Sequence, residues 1–180
     1  MRKLTFPLIS FGAVAAFIAI AALSAPGVSQ EPPAGQQEET RAADLPPQPF
    51  NPQLSALMNM LIQPRHAKLG LAGKAENWQL ATYMFQEIKA GFGVVGRAVP
   101  RWKGLPVPDL IEAATGQVWP VLDFAIKAGE PRQFMESYQK LTQACNNCHT
   151  TMDHAYVVIK VPDASAASAW PNQEFNPPGR

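Results

Sequence analysis

Between residues 50 and 150 the apolar positions return in steps of three and four, the spacing of one helical face. Leu54, Leu57, Met58, Leu61 and Ile62 predict a first helix, with Asn51 as N-cap and Pro52 in its first turn. Pro64 should kink or interrupt it, because proline has no backbone N–H to give. The helix is expected to resume through His66, Ala67, Lys68 and Leu69, before Gly70 and Gly73. Trp78, Ala81, Phe85, Ile88, Phe92 and Val95 form the clearest seam, a second helix capped by Asn77 and weakened at its end by Gly91, Gly93 and Gly96. Residues 100–108 read as a loop and residues 109–114 as a short helical turn. A third helix is expected from Pro120 to a stop at Gly129. Pro131 opens a fourth, with Phe134, Tyr138, Leu141, Cys145 and Cys148 on one face. No segment sustains period-two alternation with hairpin turns, although residues 156–161 are β-prone. Four helices with short connections predict an all-α four-helix bundle over residues 51–161. Residues 162–180 form an irregular arm, in which Trp170 and Phe175 are expected to pack over the bundle.

The N-terminus reads differently. Arg2 and Lys3 precede an apolar run from Phe11 to Leu23, and Ala22 and Ser24 are small enough for a cleavage site before Ala25. Residues 1–24 are therefore expected to be a cleaved signal peptide and the protein periplasmic. The competing reading is a retained membrane anchor, since the run approaches spanning length. Residues 25–50, rich in Pro, Gln, Glu, Ala and Gly, have too little apolar surface to offset ordering, and read as a disordered leader. The whole chain carries a net charge of +1, and losing Arg2 and Lys3 leaves 13 basic against 14 acidic residues, or −1. With no basic block or stripe, a nucleic-acid partner is not expected.

Cys145-Asn146-Asn147-Cys148-His149 matches the C-x-x-C-H pattern of covalent haem attachment. On a helix these three chemical residues share a face. Both thiols can add to the vinyl groups of one haem c while His149 reaches the iron as a metal ligand from the same side. Three other readings compete. A thioredoxin-like pair expects a βαβ setting that is missing here. A zinc site lacks a second Cys pair, and His66 and His154 do not supply finger spacing. A plain disulfide is the bland alternative in an oxidising compartment.

The far side of the iron stays open at this level. Methionine there suits electron transfer. Met58 and Met60 lie in the first helix but face different sides, so at most one can be a metal ligand. His66 is a rival, and each of the three has a structural alternative as core filler or hydrogen-bonded histidine. Met152 and His154 lie too close to the motif to reach the opposite face easily. Arg65 and Lys68 could pair with haem propionates, or could simply be solvated. Trp78 and Phe85 read as core. No Ser/His/Asp set, phosphate loop or carboxylate pair suggests an enzyme.

A C-x-x-C-H on the last helix of a bundle resembles the class II cytochromes c, the cytochrome c-prime family. The stretches IQPRHAKLGLAGKAENWQLATY, LTQACNNCH and PNQEFNP resemble small exported bacterial c-type cytochromes with one haem, over roughly residues 52–177. The resemblance implies attachment at Cys145 and Cys148 with His149 as proximal ligand. In low-spin members a first-helix methionine completes the iron, which points to Met60, with Met58 as the alternative. High-spin members instead carry an apolar residue there and bind small gases, a role open to Leu57 or Leu61. Three departures stand out: residues 150–154 lack the family's usual basic residue, Pro64 interrupts the first helix, and the chain extends past Val161. The leading expectation is therefore a periplasmic electron-transfer cytochrome with redox protein partners. A homodimer through the first two helices is compatible with bundle packing and with the resemblance. The alternatives are a five-coordinate haem protein that binds or senses NO or CO, and a C-x-x-C thiol–disulfide protein.

Overall fold

The first apolar stretch folds in three pieces. In this computed structural model, which describes residues 51–179, α1 spans Leu54–Leu57, a π-helical turn spans Met58–Ile62, and α2 spans Gln63–Lys74. Pro64 falls in the first turn of α2, where its missing donor costs least, and the interruption takes the form of the widened turn before it. Helix begins later than the Asn51–Pro52 pair predicts: Gln53 is still extended and makes no side-chain cap. Helix also runs past Gly70 and Gly73, which were expected to end it. A Cβ on Gly70 would lie 2.6 Å from the Tyr138 ring, and one on Gly73 would overlap Phe134. These glycines admit aromatic rings from another helix and do not terminate their own.

Asn77 caps α3 (Trp78–Ala98), its Oδ1 accepting from the Leu80 N–H at 3.1 Å. Ala81, Phe85, Ile88 and Val95 on the predicted seam are buried, and the helix persists through the glycines near its end. The expected loop holds a two-rung hairpin, β1 (Arg101–Trp102) against β2 (Leu105–Pro106). Its turn residues Lys103 and Gly104 both take positive φ, as the tightest hairpin turns require. Helix α4 spans Val107–Thr115, α5 spans Val118–Ala128, and α6 spans Pro131–Thr151. Gly129 stops α5 and Pro131 opens α6, as the sequence predicts.

The described residues are thus mostly helical, with one small antiparallel sheet. Helix α2 packs on α3, α3 on α5, α5 on α6 and α6 back on α2, while α4 rests on α3 and α6. Phe85, Ile88, Leu69, Leu122, Phe134, Tyr138 and Leu141 fill the space between them. Residues 156–161 form no strand. The chain then enters a 3₁₀ turn (Ala164–Ala169) that packs on α2. Lys74 Nζ donates to the Pro162 carbonyl at 2.6 Å, and Asn77 Nδ2 to the Asn176 carbonyl at 3.1 Å. Phe175 is buried, edge-on to Trp170, and Lys68 sits 5.4 Å over the Trp170 ring. The predicted signal segment and leader, residues 1–50, lie outside the described residues. Among the described residues no helix is long and apolar enough to cross a membrane.

Candidate functional site

Cys145, Cys148 and His149 lie on the last turns of α6, where i, i+3 and i+4 spacing puts them on one face. All three line one cavity of about 580 Å³, a volume ordinary for a cofactor site. Met58, Ile62 and His66 line it from the first helical stretch. Phe92, Trp102, Ile111 and Ala114 line it from α3, the hairpin and α4. Residues 152–159 close the side beyond the motif, through Met152, His154, Val157 and Ile159.

His149 is oriented by the chain that follows it. Its Nδ1 lies 2.7 Å from the Val157 carbonyl oxygen, and because a carbonyl only accepts, Nδ1 carries the proton. Nε2 of the neutral ring therefore keeps its lone pair. A histidine that binds a metal characteristically gives its other N–H to a carbonyl or carboxylate in this way. The same short segment is held to α6 by Asn146, which bonds both the N–H and the carbonyl of Ile159.

The two thiols sit in an environment that keeps them protonated. Burial pushes Cys145 up to about 12, and the neighbouring Cys148 adds to the rise. Burial also raises Cys148. Reactive cysteines of disulfide-exchange proteins are shifted the other way, by nearby positive charge or a helix N-terminus. These two lie at the C-terminal end of α6, whose dipole disfavours a thiolate.

The structure separates the candidates for the opposite wall. Met60 is 69% exposed and does not line the cavity, so it does not reach the site expected of it. Met58 lines the cavity, in phase with Ile62 and His66 one and two turns on. His66 is buried with both ring nitrogens engaged, Nδ1 at 3.0 Å from Tyr138 Oη and Nε2 at 3.0 Å from Thr142 Oγ1. A neutral imidazole has one donor and one acceptor nitrogen, and here the protein occupies both. Burial lowers its pKa from 6.5 to about 4, so the ring is neutral near pH 7. Leu57 is in the core and Leu61 packs against the core's edge, and neither lines the cavity.

Other expectations are redirected. Arg65 pairs with Glu87 at 3.3 Å and donates to the Leu61 carbonyl, while Lys68 covers Trp170, so neither faces the cavity. Phe85 and Trp78 are packing residues, the latter edge-on to Phe134. The aromatic cavity walls are Phe92 and Trp102. Asn146, Val157, Trp102 and Ile111 were not singled out from sequence. Only Asn146 carried a signal, as a polar residue inside the motif itself.

The donor set fits a covalently held haem: two thiols one turn apart, a histidine with a directed Nε2 beside them, and a largely apolar cavity above. No family model, curated protein or solved structure matches this chain.

Proposed function

We propose that this chain is a c-type cytochrome that carries single electrons between redox proteins in the periplasm, as a carrier and not an enzyme. Haem c would be bonded through Cys145 and Cys148, with His149 as the proximal ligand and Met58 as the distal one. The observation that carries the reading is the His149 arrangement. Its Nδ1–H is spent on the Val157 carbonyl while its ring lines the same cavity as both motif cysteines.

When bound, haem supplies a one-electron iron couple. The chain's own residues do the rest. Cys145 and Cys148 fix the position of the group, and His149 offers a lone pair held in one orientation by Val157. Ile62, Phe92, Ile111 and Ala114 exclude water, which lowers the local dielectric and limits how much solvent must reorganise when the charge changes. Met58, in the wall of the same cavity, offers a thioether of the kind that raises a haem potential. The circuit of packing neighbours α2, α3, α5 and α6 supports a four-helix bundle as the scaffold. Export is supported by the apolar run Phe11–Leu23 and the small residues after it.

A haem-stained denaturing gel of the full chain tests the core of the proposal. Thioether-bound haem survives denaturation, so a stained band is expected, lost in the Cys145→Ser/Cys148→Ser double variant. An unstained parent band would return the motif to thiol chemistry. The ferric spectrum tests the distal ligand: a weak far-red sulfur band should be present in the parent and in Met60→Ala, and absent from Met58→Ala. A five-coordinate ferrous spectrum with immediate carbon monoxide uptake in the parent would instead favour the gas-binding alternative.

A further inference from the structure

Asn146 spends both ends of its side-chain amide on one backbone residue. Nδ2 donates to the Ile159 carbonyl at 3.0 Å, and Oδ1 accepts from the Ile159 N–H at 2.8 Å. One turn along α6, on the same face, His149 donates to the Val157 carbonyl at 2.7 Å. Residues 146 and 149 thus grip residues 159 and 157 as two rungs of one register. The rungs differ in their surroundings. The Asn146 rung is part-buried, whereas the His149 contact is exposed, where water competes for the same N–H. The segment being gripped belongs to no helix or strand of its own. Backbone bonds tie it at one end, His154 N–H to the His149 carbonyl at 2.7 Å and Val157 N–H to the His154 carbonyl at 2.8 Å. Asn146 fixes the other end at Ile159.

We propose that Asn146 is the positioning residue for the proximal histidine: its clamp on Ile159 holds the Val157 carbonyl against His149 Nδ1 and so sets the electron donation of the imidazole to iron. The inference rests on the haem reading above and adds to it a residue that tunes the potential without touching the cofactor. A ligating imidazole whose N–H is held by a carbonyl is more basic and favours the ferric state. Freeing the segment weakens that bond and favours the ferrous state. The adjacent Asn147 provides an internal comparison, since its side chain only accepts from Gln143 on the exposed face of α6.

The test uses the full, haem-loaded chain and its Asn146→Ala, Asn146→Asp and Asn147→Ala variants, with two readouts: the midpoint potential and the ¹⁵N signals of the His149 ring. Asn146→Ala should shift the redox equilibrium about tenfold toward ferrous, roughly 59 mV upward for a one-electron couple. Its Nδ1–H should exchange faster with water, while the absorption bands that report the axial ligands stay in place. Asn146→Asp keeps an acceptor for the Ile159 N–H but adds a charge that itself favours the ferric state, so it is read by the ring signal alone, which should fall between. Asn147→Ala should match the parent. A parental potential and ring signal in Asn146→Ala would overturn the proposal, and so would an equal change in Asn147→Ala. If Asn146→Ala loses helical circular dichroism, Asn146→Asp decides in its place. If the parent does not stain for haem, the functional reading fails separately, and the ring signal of the unloaded chain still reports whether Asn146 holds His149.

Discussion

His66 meets the cavity with both ring nitrogens already engaged, whereas His149 gives up only Nδ1 and keeps Nε2 for the cavity. The first arrangement makes a pH-dependent contribution to stability. The folded pKa of about 4 lies below the ordinary 6.5, so the unfolded chain binds the proton more tightly. Stability from this group is complete above pH 6.5 and falls as pH drops toward 4, by about 3 kcal/mol at 1.36 kcal/mol per unit. Urea midpoints measured across that window should fall in the parent, and the slope should flatten in His66→Gln. The methionines illustrate what sequence could not resolve at this scale. Two positions two apart on a helix must face different sides, and that much was legible. Which one faces the cavity depends on the phase of the widened turn Met58–Ile62, and that phase is set by packing against α3.

Helix ends with local causes were readable: the Asn77 cap, the Gly129 stop and the Pro131 start each act within one turn. Gly70 and Gly73 were misread because their cause is remote. The rings they admit, Tyr138 and Phe134, come from α6, more than 60 residues away in the chain. Gly73→Ala should accordingly lower stability by about 1–3 kcal/mol through overpacking, despite alanine's better helix propensity. Chemical denaturation checks this, and an unchanged or raised midpoint would contradict the packing account. The hairpin between α3 and α4 went unread for a similar reason. Two residues per strand give no alternation to detect, and a lysine at positive φ is not a turn signature.

At the scale of the whole molecule, residues 162–179 close over α2 and the turn that follows it. Phe175 is the apolar anchor of that closure, 7% exposed. Phe175→Ala should cost about 2–4 kcal/mol by loss of a buried ring, read as a lower denaturation midpoint with helical content unchanged. The motif itself was legible because its chemistry is local, three residues within five positions. The cavity was not, because its walls are gathered from residues 51 to 159.

The partners of α2 lie far downstream: His66 waits for Thr142, 76 residues on, and Asn77 for Asn176, 99 residues on. Such distant closures form late, since loop entropy has to be overcome before the contacts return anything. Cys145 and Cys148 precede Asn176 in the chain, and in the folded chain burial raises the pKa of both free thiols. Thiolate chemistry at this pair is therefore easier in a chain that has not yet buried them than in the closed fold.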